Sequence, residues 1–243
     1  MTPAPQRLAR KTRGFEARVA HAEALLREAA EDHAGRIVQA SSLGVEGMVL
    51  TDMVARMKLP IAVATLDTGL LHAETLALLP RIQSRYGITV EVFRPPTEAV
   101  LQFVHRHGER AMFDSVRLRQ ACCATRKIEP MQRLLAGRSA WVTGLRREHS
   151  EARRHVPFFA LEDDGREKFY PLADWSDADV WTYVQRHDVP YNALHDQGYP
   201  SIGCAPCTRA VSAGEDPRAG RWWWEQGAAK ECGLHLRPEV AGA

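Results

Sequence analysis

The sequence lacks long apolar runs and shows no strong excess of one charge. No stretch of its 243 residues approaches the about 18 consecutive apolar residues of a transmembrane helix, so we expect no membrane partner. The basic first residues are not followed by an apolar segment, which argues against a secretory signal and favours a cytoplasmic protein. Because 32 Lys and Arg face 30 Asp and Glu, the net charge is only +2 and nucleic-acid binding is not expected.

A Walker loop is also missing, although the first predicted strand ends in a loop suited to an anion. This loop, "SSLGVEG" (Ser41–Gly47), follows the apolar segment "RIVQASS" and enters a predicted helix. Small residues let backbone N–H groups approach an anion, and a helix N-terminus favours negative charge. Without Gly-Lys-Ser/Thr the motif is not a phosphate-binding P-loop, and a tight turn explains it equally well.

Two further predicted strands end in similar loops. "LDTG" (Leu66–Gly69) follows the second strand, and "TGLRREHSEARR" (Thr143–Arg154) follows the fourth. Taken singly, these are an ordinary turn and a solvated charged face. Because parallel strands share their carboxyl edge, the three loops together favour a nucleotide pocket.

Cysteines are few, but their spacing is specific. Of the five, Cys122 and Cys123 are adjacent, and Cys204 and Cys207 form a Cys-x-x-Cys. In a cytosolic protein such thiols are more often metal ligands or catalytic groups than disulfides. The Cys-x-x-Cys alone would suit a redox dithiol or half of a zinc site. Adjacent thiolates reach one zinc ion poorly, so the four favour a [4Fe–4S] cluster over zinc.

The fifth cysteine, Cys232, has Lys230 before it and His235 after it. A thiol beside cationic groups is a candidate nucleophile, although an isolated cysteine near a chain end is usually inert. The preceding "RAGRWWWE" (Arg218–Glu225) has aromatics that could anchor the segment and two arginines that could face an anion.

Short apolar strands alternate with helical segments along the chain. This pattern predicts an α/β fold with a mostly parallel sheet flanked by helices. A hairpin with an Asp-Asp-Gly turn is expected within Val156–Leu172. Helices are predicted at Phe15–His33, Gly47–Met57, His72–Tyr86, Glu98–His107, Arg117–Leu135 and Ser176–Asp188. We expect a disordered tail at 1–13, an α/β nucleotide- and cluster-binding domain at 14–210 and a functional C-terminal segment at 211–243.

The motifs, taken in order, resemble the sulfonucleotide reductases, specifically the cluster-bearing adenylyl-sulfate reductases. The matching pieces, spanning about Ser41 to His235, are "SSLGVEG", "LDTG", "CCATRK", "GLRREHS", "GCAPC", "GRWWWE" and "ECGLH". The resemblance implies a fold like that of ATP pyrophosphatases and adenine nucleotide alpha hydrolases. It further implies thioredoxin-dependent reduction of adenosine 5′-phosphosulfate (APS) to sulfite and AMP, in sulfate assimilation and cysteine biosynthesis.

The resemblance also implies roles for individual residues. The [4Fe–4S] ligands would be Cys122, Cys123, Cys204 and Cys207. The catalytic residues would be Cys232, which forms an S-sulfonate, with Lys127 and His235. His235, Arg218 and Arg221 match groups that contact the phosphosulfate, and the other substrate-binding residues would be Ser41, Ser42, Leu66, Asp67, Gly144 and Arg146.

Several alternatives stay open at this point. ATP pyrophosphatases carry Ser-Gly-Gly-x-Asp-Ser where this chain has Leu43, Gly44 and Glu46, which disfavours the related tRNA-thiolating enzymes. A reductase of the 3′-phosphorylated nucleotide (PAPS), or one accepting both nucleotides, is the enzymatic alternative. A non-catalytic iron–sulfur or zinc sensor would not need Cys232. The sequence does not decide between thioredoxin and glutaredoxin, nor whether the protein is a homo-oligomer.

Overall fold

The computed structural model describes residues 2–225, and its centre is a β-sheet. The strands are β1 (Ile37–Ser41), β2 (Ala62–Leu66), β3 (Glu91–Phe93), β4 (Ala140–Val142), β5 (Phe159–Leu161) and β6 (Glu167–Phe169). Their order is β3-β2-β1-β4-β6-β5. Neighbouring strands are parallel except for β5 and β6, which form the expected antiparallel hairpin. The predicted mostly parallel α/β fold is confirmed.

Helices occupy most of the chain between the strands. They are α1 (Ala4–Leu8), α2 (Phe15–Asp32), α3 (Val45–Arg56), α4 (Ala73–Leu76), α5 (Leu78–Tyr86), α6 (Thr97–His107), α7 (Val116–Cys123), α8 (Glu129–Leu135) and α9 (Asp177–His187). In the described part of the chain, no helix is both long enough and apolar enough to cross a bilayer.

Both faces of the sheet are covered, because successive strand residues point to opposite sides. On β1, Ile37 belongs to the large hydrophobic cluster that includes residues of α2 and α3. Its neighbour Val38 packs in a second cluster with Leu134 of α8 and Trp141 of β4. Burial of each such side chain stabilises the fold by about 1.5–3 kcal/mol.

The topology creates a crevice beside β1. From β1 the chain continues to β2 on one side, whereas β4 pairs with β1 on the other side. The loops that follow β1 and β4 therefore leave the sheet in opposite directions. In open α/β sheets ligands bind at such a switch point, outside the carboxyl ends of the strands.

The N-terminal residues, for which the sequence predicts disorder, are packed on the domain. Helix α1 contacts α9, and the Ala4 side chain is fully buried. The Ala4 amide donates to Asp196 Oδ1 at 2.5 Å, and the Arg10 amide donates to Thr182 Oγ1 at 3.1 Å. These contacts come from residues distant in sequence, so local composition does not reveal them. The prediction of a loose tail is corrected for residues 2–13.

The predicted helix Arg117–Leu135 is divided into three pieces. Between α7 and α8 lies a π-helical turn, Ala124–Ile128. Pro130 stands in the first turn of α8 and has no N–H to donate to the Arg126 carbonyl. The missing hydrogen bond favours a wider turn, and such π segments are frequent at functional sites.

The segment after residue 210 returns to the domain over its described part. Arg221 forms an antiparallel bridge with Thr208, and the Trp222 amide donates to the Cys207 carbonyl at 3.1 Å. The Trp222 side chain is buried. Residues 211–225 thus pack against the cysteine region, so the predicted boundary at 210 is not a break in the fold.

Candidate functional site

A cavity of about 800 Å³ opens at the carboxyl ends of β1, β2 and β4. Its position at the switch point agrees with the sequence prediction for the three strand-end loops. The predicted site residues that line it are Ser41, Ser42, Leu66, Lys127, Gly144, Arg146, Cys204, Arg218 and Arg221.

The loop after β1 is shaped for close backbone approach. Leu43 has a positive φ of 58°, and its amide donates to Ser41 Oγ at 3.1 Å. Helix α3 then begins at Val45 with Gly44 as its N-cap, which has no side chain to accept from the first-turn N–H groups. An uncapped helix N-terminus facing a cavity is suited to an anion.

Gly144 brings the loop after β4 against the first turn of α3. A Cβ at Gly144 would lie 2.7 Å from Glu46 Cβ and 3.3 Å from the Gly47 amide nitrogen. Any other residue would push the two loops apart. The glycine therefore sets the width of the cavity at this point.

Arg146 is buried and held by carboxylates. Its Nε donates to Glu46 Oε1 at 3.0 Å, and its Nη1 donates to Glu148 Oε2 at 2.9 Å and to the Trp175 carbonyl at 3.0 Å. Asp177 accepts a further bond from Nη2. With its charge compensated in this way, Arg146 is suited to holding the pocket wall. Its predicted contact with the nucleotide stays a prediction.

Glu46 is a site residue to which the sequence reasoning gave no role. Burial alone would raise its pKa, but His149 and Arg146 lower the pKa of Glu46 far below its ordinary range. The imidazole Nε2 of His149 lies 2.8 Å from Glu46 Oε1. Glu46 is thus ionised and places a fixed negative charge in the first turn of α3. The acidic residue in "SSLGVEG" was a signal that could have found it.

Asp67 is not among the residues that line the cavity. Arg94 Nε donates to Asp67 Oδ2 at 2.9 Å, and the Gly69 amide donates to Oδ1 at 3.0 Å. Its neighbours Leu66 and Thr68 line the cavity instead. Thr68 belongs to the same "LDTG" motif, in which the predicted substrate-binding residues are Leu66 and Asp67.

The four cysteines predicted as cluster ligands are all buried. Cys122, Cys204 and Cys207 belong to one hydrophobic cluster with aromatic side chains that include Trp222. Thr68 Oγ1 lies 3.2 Å from Cys204 Sγ. Two segments distant in sequence, the end of α7 and the turn Ala205–Cys207, therefore contribute to one hydrophobic cluster, and the role of their cysteines as cluster ligands stays a prediction.

The thiols influence one another electrostatically. Burial, reinforced by the neighbouring Cys204, raises the pKa of the Cys207 thiol to about 12. Burial also raises the pKa of the Cys122 thiol. The charge of Arg126 lowers this pKa, whereas the neighbouring Cys204 raises it. Cys123 lies within hydrogen-bonding reach of the Arg119 guanidinium.

In number and chemistry the four thiols fit a [4Fe–4S] cluster, and the cluster itself stays a prediction. Among residues 2–225, no group of three or more His, Cys, Asp or Glu side chains is arranged to hold a metal ion. Four buried thiols from two segments match the usual four-cysteine ligation of a [4Fe–4S] cluster. Binding of such a group would offset the cost of burying four thiolates.

Lys127 stands between the cysteines and the cavity. It lines the cavity, and its charge acts on the thiols of Cys122 and Cys207. Its neighbour Arg126 donates from Nη1 to the Thr68 carbonyl at 2.8 Å, which fixes the π-helical turn to the end of β2.

The two arginines of the C-terminal segment complete the wall. Arg221 Nη1 donates to Ser201 Oγ and to the Ile202 carbonyl, both at 3.3 Å. Its guanidinium carbon lies 4.8 Å from the centre of the Trp222 ring. A Cβ at Gly203 would collide with this guanidinium, so the glycine makes room for it. Arg218 lines the same wall, whereas Cys232, His235 and Lys230 lie outside the described residues.

A mostly parallel sheet with a cavity at its switch point is the architecture of nucleotide-binding α/β proteins. Residues 36–210 match the family model described as the phosphoadenosine phosphosulfate reductase domain, and the chain belongs to this family.

Relatives of high identity carry one name. The chain is 56% identical over 204 residues to the adenosine 5′-phosphosulfate reductase of Allochromatium vinosum, covering 83% of this chain and 79% of that protein. It is 50% identical over 222 residues to the Burkholderia cepacia enzyme of the same name, covering 90% and 88%. The Neisseria meningitidis serogroup A enzyme of that name is 54% identical over 199 residues, covering 81% of each chain.

Solved structures agree with this placement. The phosphoadenylyl-sulfate (PAPS) reductase of Candida auris, in a phosphate complex, has a TM-score of 0.65 and 29% identity, covering 79% of this chain and 92% of that one. The FMN adenylyltransferase of Candida glabrata has a TM-score of 0.56 at 14% identity, covering 83% and 68%. The second likeness concerns the fold alone, and it agrees with the nucleotide hydrolase-like architecture predicted from the sequence.

Proposed function

We propose that the protein reduces APS to sulfite and AMP in sulfate assimilation, and so serves cysteine biosynthesis in the cytoplasm. The relatives at 56% and 50% identity bear the name of this activity. The observation that carries the proposal is one continuous arrangement: a nucleotide-sized cavity, Lys127 on its wall and four buried cysteines next to it, of which Cys204 also lines the cavity.

The nucleotide would lie at the switch point. The loops after β1, β2 and β4 surround it, and the uncapped N-terminus of α3 favours its negative charge. Lys127, Arg218 and Arg221 would lie along the phosphosulfate, where cations stabilise the charge that develops on AMP as it leaves.

The chemical step belongs to Cys232. Its thiolate attacks the sulfur of APS, an S–S bond forms, and the S–O bond to the phosphate breaks with its electron pair leaving on AMP. His235 and Lys230 would favour the thiolate. Cys232 then carries an S-sulfonate.

A thioredoxin dithiol completes the cycle. One of its thiolates attacks Cys232 Sγ, forming a mixed disulfide and releasing sulfite with the electron pair of the broken S–S bond. The second thioredoxin thiolate then attacks its own partner sulfur and restores Cys232 as a thiolate. The dithiol loses two electrons, and the sulfur that began as sulfate leaves as sulfite.

A [4Fe–4S] cluster would be held by Cys122, Cys123, Cys204 and Cys207. When bound, it would supply fixed charge and structural support behind Lys127. This chain's own residues, Lys127 and Arg126, tie that region to the cavity wall.

The test is sulfite release by anaerobically purified protein, with APS and PAPS assayed in parallel and thioredoxin as reductant. Turnover with APS that is lost in C232S supports the proposal. Turnover with PAPS alone would show instead a PAPS reductase, and equal turnover an enzyme that accepts both nucleotides. Sulfite from neither, from protein that retains its iron and binds AMP, would favour a non-catalytic sensor.

A further inference from the structure

The end of the described chain is tied to the cysteine-bearing helix by a buried ion pair. Arg119 on α7 donates from Nε to Glu225 Oε1 at 2.7 Å and from Nη2 to Oε2 at 3.1 Å. The side chain of Arg119 is 3% exposed and that of Glu225 is 9% exposed. A bidentate pair with so little exposure is geometrically specific, and loss of one partner leaves a buried charge uncompensated.

Arg119 also contacts the C-terminal segment at a second point. Its guanidinium carbon lies 4.6 Å from the centre of the buried Trp222 ring, a cation–π geometry. Cys123 follows Arg119 by one helical turn and interacts with the same guanidinium. One side chain therefore joins Cys123, Trp222 and Glu225.

Glu225 lies close in sequence to Cys232, the proposed nucleophile. Cys232 follows it by seven residues, a length of chain that spans at most about 25 Å. A fixed Glu225 therefore limits how far from Arg119 and the end of α7 a residue seven positions later can lie. Such confinement raises the effective concentration of an attacking group.

We propose that Arg119 and Glu225 are positioning residues that anchor the Cys232-bearing segment to α7, so that the thiol is presented to the nucleotide cavity. This inference rests on the proposed role of Cys232 as the nucleophile. Neither residue lines the cavity, and both act through the point at which the segment starts.

The experiment compares E225Q and R119K with a matched control. The control is E215Q, because Arg209 and Glu215 form a similar bidentate pair in the same segment, at 2.9 and 3.0 Å, with side chains 40% and 34% exposed. Each variant, purified anaerobically, receives saturating APS without thioredoxin. The rate of S-sulfonate formation on Cys232 is followed by mass spectrometry, and AMP affinity, iron content and the unfolding midpoint are measured in parallel.

We expect S-sulfonate formation in E225Q to slow by about tenfold or more, as for other misplaced reacting groups. R119K keeps the charge but loses the bidentate geometry, so its rate should be intermediate. AMP affinity and iron content should stay at the wild-type level in both, and E215Q should match the wild type in every measurement.

Other outcomes would contradict the proposed positioning role of Arg119 and Glu225. A wild-type rate in E225Q would do so while leaving the proposed function intact, because wild-type S-sulfonate formation would still be seen. A parallel loss of AMP affinity, iron or cooperative unfolding in both variants would show a general structural role in place of positioning. If the wild type itself forms no S-sulfonate, the proposed function fails and the anchor with it.

Discussion

At the scale of single residues, the cavity depends on two glycines and one ionised carboxylate. Gly144 and Gly203 leave room for Glu46 and for the Arg221 guanidinium, and Glu46 balances the buried charge of Arg146. The glycines affect the shape of the cavity and Glu46 affects its charge. Each contribution can be tested with a single substitution.

We expect Gly144→Ala to weaken nucleotide binding. The new Cβ would lie 2.7 Å from Glu46 Cβ, so the loop after β4 must move away from α3. Overpacking of this kind costs about 1–3 kcal/mol, and here part of the cost falls on the cavity. Isothermal titration with AMP should show weaker binding.

The control for that substitution is Gly87→Ala. Gly87 has a φ of 68° and open space around it, so Ala there introduces backbone strain without changing the cavity. It should lower stability while AMP affinity is retained. Equal AMP affinity in both variants would show that Gly144 does not shape the binding site.

Glu46→Gln should destabilise the fold in a pH-dependent way. Because the folded-state pKa of Glu46 lies below its unfolded value of about 4.5, ionised Glu46 stabilises the protein above that pH. The stabilisation is lost as the pH falls toward the lowered folded-state pKa. Urea unfolding should therefore show a deficit of about 2–3 kcal/mol at pH 7 that shrinks below pH 4.5.

An exposed ion pair supplies the comparison. Glu129 pairs with Arg133 on the surface of α8, so Glu129→Gln should change the free energy of unfolding by less than about 1 kcal/mol. A pH-independent deficit for Glu46→Gln would argue against the charge balance with Arg146 and His149.

At the scale of elements, the N-terminal helix α1 shows how tertiary contacts override local composition. Its five residues are too few for a stable isolated helix. The buried Ala4 and the hydrogen bonds to Asp196 and Thr182 hold the segment in place. Residues near both ends of the described chain thus contribute to one packed unit.

Ala4→Glu should lower the unfolding midpoint, because a charged side chain would occupy a fully buried site. Displacement of α1 would cost about 1–3 kcal/mol in chemical denaturation. Gln6→Glu, at an exposed position in the same helix, should have little effect. Equal stability of both variants would support the loose tail that the sequence suggested.

At the scale of the whole molecule, the cysteine cluster joins parts of the chain that are distant in sequence. Cys122→Ser and Cys207→Ser should each lower iron content and the unfolding midpoint, because metal binding contributes to folding free energy. Cys232→Ser should retain its iron. Iron and sulfide analysis with visible absorbance measures this, and full iron content in all three variants would contradict the proposed ligands.

Much of the fold and the position of the cavity could be predicted from the sequence. The strand and helix alternation indicated the parallel sheet, and Ser41–Gly47, Leu66–Gly69 and Thr143–Arg154 indicated the edge at which the cavity lies. Backbone patterns of this kind are local, so a single sequence reveals them. The cysteine spacing indicated a shared cluster site, which stays a prediction.

What the sequence did not reveal depends on long-range geometry. Asp67 pairs with Arg94, and the charge of Arg146 is compensated by Glu46, Glu148 and Asp177. Motifs contain some of these residues, but they do not show which side chains pair. The bidentate contact of Arg119 with Glu225 also requires the fold to be known.

The π-helical turn at Ala124–Ile128 determines how α7 and α8 are rotated relative to each other about the helix axis. Each α-helical residue advances the direction of a side chain by about 100°, so removing one residue from this turn would rotate α7 against α8 by that angle. Helix α8 is fixed by its buried leucines under the sheet. The rotation would therefore fall on the paired thiols of α7 and turn them away from Cys204 and Cys207. The π-helical turn thus sets the rotation of α7 relative to α8. With this rotation the leucines of α8 face the core while Cys122 of α7 faces Cys204 and Cys207.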